Sequence, residues 1–105
     1  MMKLTVTYTT PTDAEAFDSH YVSVHAPMVQ KMPGLERFES GRVLATPDGS
    51  PAPYHRTADL YFASQEAMGG AFGSEIGMAT GKDAQELCER TGATIAMFIS
   101  ELDVS

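Results

Sequence analysis

The sequence is poor in cysteine, in basic residues and in long apolar runs, and each shortage removes a class of function. Its one cysteine, Cys88, has no partner for an internal disulfide, and nothing else points to an oxidising compartment, so the cytoplasm is the default location. Lys and Arg number 7 against 14 Asp and Glu, a formal charge of −7. Nucleic-acid binding needs a basic footprint that displaces counterions from phosphates, and anionic membranes attract the same sign of charge. This balance opposes both. No apolar run approaches the roughly 20 residues of a membrane span. The segment from Met1 to Tyr8 carries a single Lys and no long apolar stretch, so it reads as a strand and not as a signal peptide.

What is present is the composition of one small globular domain covering residues 1–105, with 43% hydrophobic and 20% charged residues. A core of this size leaves a thin stability margin, which burial by oligomerisation would widen. From Lys3 to Tyr8 the chain alternates, with Leu4, Val6 and Tyr8 pointing one way. Thr12-Asp13-Ala14-Glu15 has the form of a capping box, opening a helix with Ala14, Phe17, Tyr21, Val24 and Met28 on one apolar stripe. Pro33-Gly34 ends it. Leu35–Leu44 reads as a second strand, Ala45–Pro53 as a constrained loop, and His55–Phe62 as a third strand with Ala58, Leu60 and Phe62 on one face. Ser64 caps a further helix. The five glycines from Gly69 to Gly81 predict a helical region broken into short pieces, with Asp83–Arg90 helical again. Ala93–Leu102 closes the chain as a strand. The order βαββαβ suits a ferredoxin-like α+β sandwich with a four-stranded antiparallel sheet.

The last strand is apolar on both faces: Ala93, Ile95, Met97 and Ile99 on one, Ala96, Phe98 and Leu102 on the other. A sheet covered by helices on one side only should show a wet face there. This reads as a homodimer with facing sheets, a second copy of the chain supplying the missing cover; the plainer alternative is a mixed strand with one or two exposed apolar residues.

Among residues able to carry chemistry, His25 stands one helical turn after Tyr21. Helical geometry places it some 60° from the centre of the apolar stripe, at the border of core and solvent. An imidazole there can act as general acid or base, with the alternative that it only caps or bridges. Pro27 withdraws an N–H from the ladder and predicts a kink beside His25. On the third strand His55, Thr57, Asp59 and Tyr61 share a face. Asp59 there either orients an imidazole or pairs with Arg37, Arg42 or Arg56, and the ion pair is the better-supported reading. Tyr8, Phe17 and other aromatics supply apolar lining. His20 and His25 are five apart and so miss the i, i+4 metal pair. The run Gly77-Met78-Ala79-Thr80-Gly81-Lys82-Asp83 is one residue short of a phosphate loop and has Asp83 where Ser or Thr belongs. No nicotinamide fingerprint occurs. Chemistry is therefore expected to run without a bound metal, nucleotide or other cofactor, or with one supplied by a partner.

Several pieces together resemble the EthD proteins, named for ethyl tert-butyl ether degradation and grouped with the dimeric α+β barrels. These are Phe17-Asp18 leading to Tyr21 and His25-Ala26-Pro27, Pro33-Gly34-Leu35, Pro47-Asp48-Gly49, Pro53-Tyr54, Ala58-Asp59-Leu60-Tyr61-Phe62 and Glu66-Ala67-Met68. The resemblance implies a homodimer whose two sheets form a barrel, with a small-molecule cleft between sheet and helices. It places Tyr21 and His25 where the family's candidate pocket residues lie. It departs from the family at Asp59, where Glu is expected, and in Leu87-Cys88-Glu89-Arg90, which lacks an aromatic. Members are commonly labelled oxidoreductases, and related barrels include cofactor-free monooxygenases, muconolactone isomerases and heme-degrading enzymes.

The expectation is an oxidoreductase or isomerase of apolar oxygenated compounds (aromatic, lactone or polyketide-like). His25 would serve as acid–base and Tyr21 as hydrogen-bond donor, with Tyr8, Phe17, Met28, Asp59 and Tyr61 contacting substrate. The competing expectation is a non-catalytic binding or accessory protein of a catabolic oxygenase system. A heme-handling role through His25 or His55 is weaker, because no basic pair awaits the propionates.

Overall fold

In the computed structural model, which describes residues 1–104, period-two alternation decides what the central strands bury. β1 (Met2–Tyr8) and β3 (Arg56–Phe62) pair antiparallel, from Met2 opposite Phe62 to Tyr8 opposite Arg56. Leu4, Val6, Tyr8, Ala58, Leu60 and Phe62 are buried on one face, as their spacing predicts. β2 (Leu35–Arg42) joins β3, and β4 (Ile95–Glu101) joins β1, giving an antiparallel sheet in the order β2-β3-β1-β4. With helices following β1 and β3, this is the ferredoxin-like α+β architecture.

The first helical stretch departs from the sequence expectation in two ways, both with visible causes. α1 (Ala14–His20) is capped by Asp13, whose Oδ1 accepts from the Ala16 N–H at 3.1 Å, so the capping box on Thr12 does not form. Thr12 instead lies against Gly92, the left-handed residue (φ +81°) ending the last helix, where any Cβ would stand 1.8 Å from Thr12 Oγ1. Beyond His20 the helix widens into a π turn, Tyr21–His25, and resumes as α2 (Ala26–Val29) with Pro27 in its first turn. In an unbroken α-helix the Pro27 ring would press on the Ser23 carbonyl. The wider turn, in which the Ala26 N–H reaches back to the Tyr21 carbonyl, relieves that clash. The predicted kink is thus a π turn, and its extra residue rotates everything that follows. The buried stripe runs Phe17, Tyr21, His25, Val29, while Val24 is 42% exposed and Met28 half-buried.

α3 (Gln65–Gly73) begins at Ser64, as predicted, with Ser64 Oγ accepting from the Ala67 N–H at 3.0 Å. α4 (Glu75–Thr91) follows after a single break at Ser74, whose Oγ accepts from the Gly77 N–H at 3.1 Å. The glycine-rich stretch therefore gives two helices and not a series of fragments. Gly69, Gly70, Gly73 and Gly81 face open space, so their only cost is helix propensity. Gly77 is different: α4 crosses α3 so closely that a Cβ there would lie 2.0 Å from the Ala71 carbonyl oxygen. Among the described residues no helix is long and apolar enough to cross a membrane.

The helical layer leaves β4 uncovered. Ile95, Met97 and Ile99 lie opposite Tyr8, Val6 and Leu4, on the helix side of the sheet, yet Met97 and Ile99 are 58% and 54% exposed. Phe98, opposite Thr5 on the other face, is 53% exposed. Both apolar faces of this edge strand thus meet solvent in the single chain.

Candidate functional site

Between the sheet and the helices lies a cavity that draws residues from every layer: Leu4, Val6 and Tyr8 of β1, Tyr21 and His25 of the π turn, and Thr80, Gly81 and Ala84 of α4. Its inner part has about 50 Å³ of room for the centres of water-sized guests, where a single water needs roughly 10–15 Å³. Leu4, Phe72, Gly81 and Met97 also line a wider apolar cleft of about 650 Å³ on the same measure, so the cavity continues outwards to the β4 edge. No Lys, Arg, Asp or Glu lines the inner cavity. The polar residues in its lining are Tyr8, Tyr21, His25 and Thr80, and the Thr80 hydroxyl is occupied in donating to the Ile76 carbonyl at 2.6 Å.

His25 is 4% exposed, a core position and not the predicted border one. The π turn is the cause, since it turns residue 25 inwards. Its Nδ1 lies 2.9 Å from Oδ2 of Asp83. The same carboxylate lies 2.9 and 3.0 Å from Nε2 of His20. In a plain α-helix His20 and His25 would point about 140° apart; a five-residue π turn between them brings both to α4. An ionised carboxylate only accepts, so His25 carries its proton on Nδ1 and His20 on Nε2. That leaves Nε2 of His25, whose ring belongs to the cavity lining, without a hydrogen-bond partner among the described residues. Burial lowers the His25 pKa below its ordinary value, opposed by Asp83 and reinforced by His20, so the ring is neutral near neutrality.

Tyr21 is 1% exposed, and burial raises its hydroxyl pKa, with Ser40 and Arg56 acting the other way. It stays protonated, as a donor must. Its ring centroid is 5.3 Å from that of His25 and 5.7 Å from that of Tyr8. Burial raises the Tyr8 pKa as well. The Arg56 guanidinium lies over the Tyr21 ring, 4.5 Å from its centroid, which places a positive charge behind the phenol. Arg56 is held there by Asp18, whose Oδ1 is 3.5 Å from Arg56 Nε and 2.9 Å from His55 Nε2.

Of the residues predicted to contact substrate, Tyr8 lines the cavity and Phe17, Met28, Asp59 and Tyr61 do not. Phe17, wholly buried, buttresses the site from behind: it stacks on Tyr21 at 6.0 Å and meets Tyr8 edge-on at 5.1 Å. Asp59 and Tyr61 occupy the opposite face of the sheet. Asp59 accepts from the Thr5 hydroxyl at 2.9 Å and lies 3.8 Å from Lys3 Nζ, so the ion pair is real but its cation is none of the three arginines. The Tyr61 hydroxyl donates to Glu39 at 2.9 Å. His55 leaves the predicted face altogether to bind Asp18. The residues that sequence reasoning missed are His20 and Asp83, because the convergence of His20 and His25 on one carboxylate depends on the π turn; Pro27, two residues beyond it, is the local signal.

The EthD domain model matches residues 9–91. An uncharacterised 11.0 kDa protein of Rhodococcus erythropolis, from the thcB–thcC intergenic region, is 36% identical over 101 residues, which is 96% of this chain and 95% of that protein. The crystal structure of an EthD family protein from Bacillus halodurans matches with a TM-score of 0.88 and 31% identity, covering 97% of this chain and 98% of that one. SnoaB, a cofactor-independent oxygenase from Streptomyces nogalater, matches with a TM-score of 0.69 at 10% identity, covering 99% of this chain and 94% of its own. At that identity the likeness is one of fold.

Proposed function

The chain belongs to the EthD family, and from its cleft we propose that it is a small-molecule enzyme that moves a proton on an uncharged, largely apolar carbonyl or phenolic compound. The observation that carries this reading is the buried His25 ring, tied through Nδ1 to Asp83 at 2.9 Å in the wall of a cavity lined by no Lys, Arg, Asp or Glu among the described residues. A carboxylate behind an imidazole fixes the tautomer and stabilises the imidazolium that forms when the other nitrogen takes a proton. An apolar wall selects against carboxylate or phosphate substrates, whose desolvation no cation here would offset.

The step is enolisation. Nε2 of His25 removes a proton from the carbon beside a carbonyl; the C–H electron pair moves into the enolate, and the new N–H bond leaves an imidazolium paired to Asp83. The Tyr21 hydroxyl donates to the enolate oxygen, with Arg56 behind it. Return of the proton to a different carbon is an isomerisation, and capture of the enolate by dioxygen is the entry to cofactor-independent oxygenation. SnoaB, of like fold, is a cofactor-independent oxygenase.

A homodimer belongs to the same proposal. Met97, Phe98 and Ile99 are each more than half exposed and also line the outer cleft, so a second copy over β4 would cover apolar surface and narrow the entrance together. The test of the binding half is a thermal-shift comparison of β-tetralone, a neutral bicyclic ketone, with naphthoate, a carboxylate of similar size. The proposal expects the ketone to raise Tm and naphthoate to leave it unchanged. Equal shifts with both, or a shift with naphthoate alone, contradict it.

A further inference from the structure

Two imidazoles share one carboxylate here, and only one of them faces the cavity. Side-chain exposure falls from 22% at His20 through 16% at Asp83 to 5% at His25, so the three form a file from solvent to cavity. His20 spends Nε2 on Asp83, and its Nδ1 has no partner among the described residues. A carboxylate can neutralise one imidazolium, not two. Water reaches the His20 ring more readily than the His25 ring.

We propose that His20 is a positioning residue of this site: it carries the positive charge of the His20–Asp83–His25 unit, and so keeps His25 neutral with Nε2 unprotonated. Each ring directs one N–H at Asp83, and the proton that gives the unit its charge is the one that enters at His20 Nδ1 from water. This inference rests on the reading of His25 as the base, but its test does not require a substrate. Asp83 from α4 and Tyr21 on its own turn lie against His25; His20 from α1 reaches it through Asp83, Tyr8 from β1 shares its cavity, and Arg56 from β3 lies over Tyr21. Lys82 and Glu86, the charges flanking Asp83 on α4, lie 3.9 Å from one another on the solvent side.

The experiment is a pH titration of the imidazole nitrogens by long-range ¹H–¹⁵N NMR on the unliganded protein. The chain has three histidines, so each ring can be followed, and His55 on Asp18 is an internal control. In the wild type the proposal expects Nδ1–H on His25, Nε2–H on His20, and a His20 titration that also moves the His25 signals before His25 itself titrates. In His20→Gln the His25 midpoint moves up, because removing the neighbouring charge takes away a force that lowers it. In Asp83→Asn it moves down, because the carboxylate raises it. The His55 midpoint stays in place in both. Independent single-step curves in the wild type, or a His25 midpoint unmoved by His20→Gln, overturn the proposal. Should His20→Gln fail to fold, the wild-type curves decide alone. Loss of catalysis in a His25 variant reads the function separately, so the two can fail independently.

Discussion

Replacing Gly77 by Ala sets two effects against each other, and the structure says which wins. Ala is better than Gly in a helix interior by about 1 kcal/mol. Against this, the new Cβ would stand 2.0 Å from the Ala71 carbonyl oxygen and 2.9 Å from both the Ala71 carbonyl carbon and Phe72 Cα. A carbon–oxygen contact is comfortable near 3.3 Å, so α3 and α4 must part by about 1.3 Å. All three obstructing atoms are backbone, so no side chain can rotate away. Met68 and Ala71, buried at 3% and 1% exposure, would lose packing as the helices separate. Overpacking of this kind costs roughly 1–3 kcal/mol before the unpacking is counted. We expect a net loss of about 2 kcal/mol, and at about 4–8 °C per kcal/mol the melting temperature falls by about 8–16 °C. Gly70→Ala is the matched control, because nothing lies within 4 Å of its Cβ; it should gain about 0.5–1 kcal/mol. Urea unfolding of the three proteins, with m unchanged, reads the difference. If Gly77→Ala proves as stable as Gly70→Ala, the close approach of the first turn of α4 to the end of α3 is wrong.

Three further outcomes follow from the same structure. Phe98→Asp should turn a dimer into a monomer by light scattering with its far-ultraviolet spectrum intact, since Phe98 is 53% exposed in the single chain and packs no core there; an unchanged mass would refute the β4 interface. His25 has a folded-state pKa lowered by burial, so the unfolded chain binds its proton first as the pH falls below about 6.5. Stability should therefore decline with falling pH from there to the folded midpoint, by at most about 1.4 kcal/mol per pH unit, and His25→Gln should flatten that slope in urea unfolding. Tyr21→Phe keeps the stacked ring and removes the donor to the enolate, so β-tetralone proton exchange should slow by about 10²-fold with little change in melting temperature; a rate equal to wild type would remove the hydroxyl from the mechanism.

Where a side chain's environment follows from local period, the sequence was enough. The alternation at Leu4, Val6 and Tyr8 and at Ala58, Leu60 and Phe62 gives the buried face of the central strands directly. The two-sided apolar pattern of the last strand announces the open edge formed by Met97, Phe98 and Ile99. Tyr21 and His25, one helical turn apart in the sequence, line one cavity with Tyr8. The rest depended on an irregularity. A helix counted at 100° per residue puts His25 at the border and His20 on another side, whereas the π turn before Pro27 buries the first and joins both to Asp83. The glycines of the second helical region carried a similar ambiguity. Propensity treats Gly77 and Gly81 alike, and only the crossing of α3 separates a required glycine from a tolerated one. His55, one residue before β3, looked like a member of the Asp59 face; outside the pleat it turns instead to Asp18.

His25 is the proposed base, in a cleft proposed to take uncharged ketones. The most direct measurement is the exchange of the carbon-bound α-protons of β-tetralone in deuterated water, followed by proton NMR for wild type and His25→Ala at pH 7.5. A positioned general base is worth about 10²–10⁴ in rate. Exchange by the wild type well above the buffer rate, falling at least about tenfold in His25→Ala, is the predicted result. Equal rates in the two proteins would contradict it.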